Sequence, residues 1–192
     1  MLNFTVGPVM SPSEVLEVSA KSAPYFRTPE FSQVMLENER IMLDLLSAPK
    51  DSRCVFLTAS GTGAMEAAVM SVLAPAERVA VVNGGSFGQR FVDLCQLHGH
   101  NVNEIKLEFG RQVTRKNLED AVESGCGALL VNMHETSSGL LYDMRLLSEF
   151  CREREMLLIV DAVSAFIAEE IDMAALGADV VLTGCLLYTS PS

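Results

Sequence analysis

The sequence predicts an α/β fold: a three-layer sandwich with a mostly parallel central sheet covered by helices on both faces. Short apolar runs recur along the chain and alternate with stretches of helical periodicity. Apolar residues make up 49% of the 192 residues and the mean hydropathy is +0.27, values typical of a chain that buries a core. Continuous apolar strands between helices indicate parallel pairing, because such strands are buried on both faces.

The elements follow in chain order. Residues 1–29 are expected to form an extended N-terminal arm with a short helix near 14–20, and residues 30–47 an amphipathic helix. Its apolar stripe comprises Phe31, Val34, Met35, Ile41, Met42, Leu45 and Leu46. Strands are expected at 53–58, 78–83, 102–107, 127–132, 156–161 and 179–183. Helices are expected at 63–74, 86–98, 114–123 and 143–155.

Composition excludes several classes of protein. A net charge of −11 without a basic stripe argues against a nucleic-acid surface. No apolar run approaches the roughly 20 residues of a membrane span, and the segment 1–5 resembles no secretion signal. The cysteines are scattered without metal-ligand spacing, which favours reduced thiols in a cytoplasmic protein.

A turn of small residues is the most informative motif. Residues 59–67, Ala-Ser-Gly-Thr-Gly-Ala-Met-Glu-Ala, join the strand predicted at 53–58 to a helix. The exposed backbone N–H groups at such a helix start favour an anion, usually a phosphate. Gly61 lets the backbone approach the ligand, and Ser60 and Thr62 add hydroxyl groups.

Other phosphate motifs fit this turn less well. A dinucleotide fingerprint needs a third glycine where Glu66 stands and an acidic residue where the second strand ends at Asn83. A P-loop needs a lysine, and none is near. The structural alternative is a glycine-rich turn that serves packing alone.

Polar and aromatic residues follow three further strands. They lie in the segments 83–88, 134–139 and 161–164. Because ligands gather at the carboxyl ends of parallel strands, these segments are expected to meet the phosphate turn at one edge of the sheet. Together they suit a phosphorylated, planar, nitrogen-bearing ring.

These motifs resemble the class V aminotransferases, which belong to the fold-type I enzymes that use pyridoxal 5′-phosphate (PLP). The matching stretches are 4–8, 60–67, 83–90, 135–139, 161–164 and 177–180, in family order. The resemblance is greatest to 2-aminoethylphosphonate–pyruvate and alanine–glyoxylate transaminases. It implies a homodimer that transfers an amino group from an amine or amino acid to a 2-oxo acid such as pyruvate or glyoxylate.

The resemblance also implies a role for each matching residue. Ser60, Gly61 and Thr62 would hold the cofactor phosphate. Phe87 would stack on one face of the pyridine ring and Val163 would press on the other. Thr136 would hydrogen-bond the phenolic oxygen. The alternatives are that Phe87 only packs into the core and that Thr136 only caps a turn.

Asp161 would be the catalytic carboxylate, because a carboxylate beside the pyridine nitrogen keeps that nitrogen protonated. A plain helix cap is its structural alternative. Gly7 resembles a substrate-side position. Cys95, His98 and His100 could be imagined as a metal site, but without a fourth ligand no metal is expected.

The family's lysine, which links covalently to the cofactor, is missing. Its position is occupied by Leu187, and residues 185–192 match nothing in the family. We therefore expect an incomplete PLP-binding large domain at 30–184 with a non-family tail and without the C-terminal small domain. This would be an inactive fragment. The alternatives are a class V cysteine desulfurase or lyase, a non-catalytic remnant and a nicotinamide-dependent oxidoreductase.

Overall fold

The computed structural model describes residues 11–184, in which helices and strands alternate. The helices are α1 Ser13–Ser19, α2 Pro29–Leu45, α3 Gly61–Val72, α4 Ser86–Leu97, α5 Arg115–Ala121, α6 Met144–Glu153 and α7 Met173–Leu176. The strands are β1 Arg78–Asn83, β2 Asn101–Lys106, β3 Ala128–Asn132, β4 His134–Glu135, β5 Leu140–Leu141, β6 Leu157–Asp161 and β7 Val180–Leu182. None of the helices in these residues is long and apolar enough to cross a membrane.

Five strands form a parallel sheet in the order β2-β1-β3-β6-β7. Alternate side chains of β1 enter different cores. Val79 and Val81 belong to a core with residues of α3 and α4, whereas Ala80 and Val82 belong to one with residues of α5 and α6. Helices therefore cover both faces, and the predicted three-layer α/β sandwich is confirmed.

The elements from α3 to β7 agree with the predicted ones to within two residues at each end. Two features were not predicted. β4 and β5 form a two-stranded antiparallel hairpin, and α7 is a single short turn. Both are too short to leave a periodic pattern in the sequence.

The strand predicted at 53–58 is wrong. Residues 52–57 have no regular secondary structure, and Val55, Phe56 and Leu57 are exposed. The backbone N–H of Cys54 donates to the Glu39 carboxylate at 3.0 Å instead of to a neighbouring strand. An apolar run forms a strand only when another strand pairs with it, and no strand of residues 11–184 lies beside this one.

The apolar stripe predicted for residues 30–47 forms on α2 but does not enter the core. No residue within α2 is buried, and Leu45 is 51% exposed. Only Leu46, just after the helix, joins a core cluster. The helix starts at Pro29, one residue into the predicted arm, because the Thr28 hydroxyl caps it by accepting the Phe31 N–H.

Candidate functional site

The carboxyl ends of the central strands surround a small cavity at the start of α3. Gly61, Thr62, Phe87, Thr136, Asp161 and Val163, all predicted from the sequence, line it. The further lining residues are Met65, Arg90, His134 and Ser164. The parallel sheet therefore brings the predicted ring and carboxylate positions together, as the rule for ligand sites in such sheets requires. The predicted phosphate position joins them through α3, which shares a core with α4 and follows no strand of the sheet.

The start of α3 has the geometry of an anion site. Ser60 is the N-cap, and its hydroxyl accepts the Gly63 N–H at 3.1 Å. Ser60 is exposed beside the cavity, while Thr62 lies within its wall. Gly184, after β7, comes so close to Gly61 that an added Cβ would lie 3.5 Å from the Gly61 Cα. Neither glycine has a side chain, so the backbone at the start of α3 can be approached closely on this side.

Phe87 is the second residue of α4, and its ring faces the cavity. The Arg90 guanidinium, one turn later, lies 4.8 Å from the ring centroid and donates to the Thr62 hydroxyl at 2.8 Å. Within this wall the open volume is only about 30 Å³. Arg90 thus places a planar cation against an aromatic face at the centre of the site.

Asp161 ends β6 and is 5% exposed. One carboxylate oxygen accepts the Val163 N–H at 2.9 Å, and the other accepts a hydrogen bond from the Asn132 amide. Burial raises the pKa of Asp161, and these two hydrogen bonds offset that effect only in part. A cation placed next to a buried carboxylate whose burial is only partly offset by hydrogen bonds stabilises its charged form.

Thr136 follows β4, and its hydroxyl is hydrogen-bonded to that of Ser164. The His134 ring nitrogen Nδ1 lies 3.3 Å from the Ser164 carbonyl oxygen. These contacts join the β4–β5 hairpin to the loop after Asp161. The site thus has a pair of hydroxyl groups, one from the hairpin and one from the loop after β6.

Five residues at the site were given no role from the sequence: Met65, Arg90, Asn132, His134 and Ser164. Arg90 shares a helix face with Phe87, three residues earlier, which was a usable signal. Asn132, His134 and Ser164 act only through contacts with distant segments, and spacing cannot show these. Gly7 and Leu187 lie outside the described residues.

The three residues considered for a metal do not converge. Burial raises the pKa of the Cys95 thiol to about 12, which disfavours the thiolate that metals bind. His98 instead pairs with Glu66 at 2.9 Å. Among residues 11–184, no group of three or more His, Cys, Asp or Glu side chains could hold a metal ion. A larger cleft of about 340 Å³ lies between α2 and the segment 48–53, away from the site.

Several known proteins are similar to this chain over more than nine tenths of its length. The chain is 33% identical over 183 residues to the soluble hydrogenase 42 kDa subunit of Anabaena cylindrica, covering 93% of this chain and 47% of that protein. It is 28% identical over 191 residues to L-aspartate–glyoxylate aminotransferase of Paracoccus denitrificans, covering 94% of this chain and 47% of the relative. The chain therefore spans about half the length of these relatives.

The fold also matches solved structures. The alanine–glyoxylate aminotransferase of Nostoc sp. superimposes with a TM-score of 0.88 at 26% identity, covering 95% of this chain and 48% of that one. The sequence profile of the family described as Aminotransferase class-V matches residues 14–185. That match spans most of the chain and includes the cavity residues described above. This chain belongs to the class V aminotransferases.

Proposed function

We propose that this chain carries the PLP-binding part of a class V aminotransferase. The observation that carries the proposal is Asp161, a carboxylate that is 5% exposed, has a raised pKa and lines the same cavity as Phe87 and Thr62. A carboxylate buried at such a cost fits a cationic ring nitrogen as its missing partner.

The residues present fit PLP in each of its parts. The start of α3 offers N–H groups and the Thr62 hydroxyl to a phosphate. Phe87 offers an aromatic face that already accommodates the planar, cationic guanidinium of Arg90. Thr136 offers a further hydroxyl from the cavity wall. Because the open volume is small, we propose that the flexible Arg90 side chain moves aside when a ring binds.

When bound, PLP acts as the electron sink of amino-group transfer. The residues of this chain would bind and orient it. Asp161 would hold a proton on the ring nitrogen, and the backbone N–H of Val163 and the Asn132 amide would keep that carboxylate in place. Phe87 and Val163 would limit the tilt of the ring from its two faces, and the start of α3 would fix the phosphate.

The proposed reaction is transfer of an amino group from an amine or amino acid to a 2-oxo acid such as pyruvate or glyoxylate. Glyoxylate is named as a partner substrate in the names of the Paracoccus and Nostoc proteins. The chain spans about half of these relatives, so the choice of substrate would also depend on residues that this chain does not contain.

We further propose that residues 30–184 are an incomplete large domain, that 185–192 are a non-family tail, and that this chain is inactive by itself. The support is the lysines: Lys21, Lys50, Lys106 and Lys116 all lie outside the cavity wall. Leu187 occupies the position where the family resemblance puts the cofactor lysine. Within residues 11–184, the cavity wall therefore supplies no amine to form the covalent link or to move a proton between substrate atoms.

We also propose that the full-length protein to which this chain would belong is a homodimer, and that its location is reducing and cytoplasmic. α2 exposes Val34 and Leu36, at 44% and 63%, and α1 exposes Leu16 and Val18. An exposed apolar surface of this kind fits a second subunit. Sedimentation of the full-length protein should show a dimer, and Leu36→Glu should weaken it. Glu37→Gln, on the same helix, is the control and should leave the dimer unchanged.

Equilibrium dialysis tests the proposed function directly. PLP should bind the chain saturably and without a covalent link, and more weakly after Asp161→Asn, because an amide gives a ring cation less stabilisation than a carboxylate does. Asp143→Asn, at the exposed cap of α6, is the matched control and should bind like the parent chain. Equal affinity in the Asp161 variant and the control would contradict the role of Asp161.

A further inference from the structure

Glu135 is a carboxylate buried completely, with 0% exposure, in the second residue of β4. It accepts four hydrogen bonds. The donors are the N–H of Gly88 at 3.0 Å, the N–H of Phe87 at 3.5 Å, the N–H of Ser137 at 3.1 Å and the hydroxyl of Ser137 at 2.6 Å. A charge enclosed in this way is tolerated only while its donors stay in place.

Two of those donors belong to the first turn of α4, which lacks a cap of its own. The N-cap residue is Gly85, which has no side chain to accept a hydrogen bond. The Ser137 hydroxyl accepts the Ser86 N–H at 3.1 Å, and Glu135 accepts the next two N–H groups. The β4–β5 hairpin therefore supplies the cap that the α4 sequence omits.

The close approach needs glycine at 85. A Cβ there would collide with the Ser137 hydroxyl and would lie 2.6 Å from the Glu135 carboxyl carbon. A capping residue with a side chain would thus push the hairpin away from α4. Gly85 therefore leaves the space that the Glu135 carboxylate and the Ser137 hydroxyl occupy.

We propose that Glu135 is a positioning residue for the cofactor ring. The proposal rests on the proposed function and deepens it. Phe87, whose N–H Glu135 accepts, presents the stacking ring, and Thr136, the residue after Glu135, presents a hydroxyl in the same cavity wall. One buried carboxylate thereby sets the distance and tilt between two groups that would contact the same ring. It would touch no reacting atom itself.

Amide hydrogen exchange, followed by NMR in the chain without ligand, tests the cap. Glu135→Gln keeps the shape but replaces one acceptor oxygen by a donor, so the amides of Phe87 and Gly88 should exchange roughly tenfold faster. Glu77→Gln is the matched control, because Glu77 also accepts a backbone N–H, that of Ala74 at 2.7 Å, but before the start of β1. Ser137→Ala keeps the carboxylate and should give a smaller increase, which provides a second variant if Glu135→Gln fails to fold.

A single tryptophan tests whether the cap positions the ring. The chain has no tryptophan, so Phe87→Trp introduces one reporter at the stacking position. PLP should quench its fluorescence in the Phe87→Trp chain, and the quenching should shrink when Glu135→Gln or Ser137→Ala is added but not with Glu77→Gln. A purely structural cap would change the exchange rates and leave the quenching unchanged.

The outcomes separate the two proposals. Quenching of equal amplitude and midpoint with and without Glu135 overturns the positioning role and leaves the proposed function standing. Unchanged exchange at Phe87 and Gly88 in both the Glu135 and the Ser137 variants overturns the cap. A reporter chain that shows no response to PLP overturns the proposed function and, with it, the role of Glu135 toward the ring.

Discussion

Asn132 and Asp161 are paired residues of neighbouring parallel strands, and the Asn132 amide donates a hydrogen bond to the Asp161 carboxylate. Asn132 is itself 2% exposed, and its amide oxygen has no hydrogen-bond partner among the described residues. The Asn132 amide thus donates to the Asp161 carboxylate where both side chains are shielded from water. The hydrogen bond favours the charged form of Asp161, whereas burial, the larger effect, disfavours it.

The first prediction concerns the pH dependence of stability. Because the pKa of Asp161 is raised above its ordinary 3.8, the folded chain binds more protons than the unfolded chain between 3.8 and the raised value. Its stability therefore falls as the pH rises through that window. Asp161→Asn has no charge to bury, so its stability relative to the parent chain should increase over the same window and stay constant above it.

Thermal unfolding of the two chains between pH 3.5 and neutrality, a range set about the ordinary pKa of Asp, measures this difference. Asp143→Asn is the control, since asparagine caps a helix about as well as aspartate. Parallel curves for Asp161→Asn and the parent chain would mean that burial of this carboxylate costs nothing.

The second prediction separates the cap of α3 from its anion site. Ser60→Ala should destabilise the chain by about 1 kcal/mol, because the Gly63 N–H loses its acceptor. It should also weaken PLP binding, since the phosphate loses a hydroxyl and an ordered helix start. Thr114→Ala removes the corresponding cap of α5. That control should lose similar stability and keep its PLP affinity; if both variants lose affinity equally, α3 has no special role.

The third prediction concerns covalent chemistry. Borohydride treatment of the chain with PLP should leave no stoichiometric adduct, because no lysine lies in the described cavity wall. Mass spectrometry of the intact chain and of its peptides gives the answer. A stoichiometric adduct on Lys21, Lys50, Lys106 or Lys116 would refute the proposal that the chain is inactive by itself.

The fourth prediction concerns the close contact between α4 and β1. A Cβ at Gly88 would lie 2.7 Å from the Val82 carbonyl oxygen and equally close to the Asn83 Cα. Both neighbours are backbone, so Gly88→Ala should destabilise the chain by about 1–3 kcal/mol through a shift of the helix. Ser86→Ala, at an exposed position of the same helix, should change stability little. Denaturant unfolding measures both, and equal midpoints would contradict this steric role.

Much of the fold follows from local sequence patterns. The run at 78–83 is a strand as predicted. Its side chains alternate between two apolar cores, and the continuous apolar sequence is enough to indicate burial on both faces. The run at 53–58 has the same apolar character, yet it is exposed. A strand needs a hydrogen-bonding partner, and local composition does not contain that information.

The candidate site divides in the same way. The sequence by itself determined Phe87 and Asp161 as neighbours, because each lies at or after the carboxyl end of a strand of the same parallel sheet. Thr62 and Thr136 were also predicted at this site, but Thr62 follows no strand and Thr136 follows the short hairpin strand β4, so the packing of α3 and of the hairpin decides their positions. Only the tertiary structure decided the position of Arg90 over Phe87 and the burial of Glu135 beneath α4. The role of a charged side chain depends on the groups it contacts, and the Gly88 N–H that Glu135 accepts lies 47 residues away in the chain. Periodicity describes which residues are buried, whereas the partner of a buried charge is set by how distant segments meet.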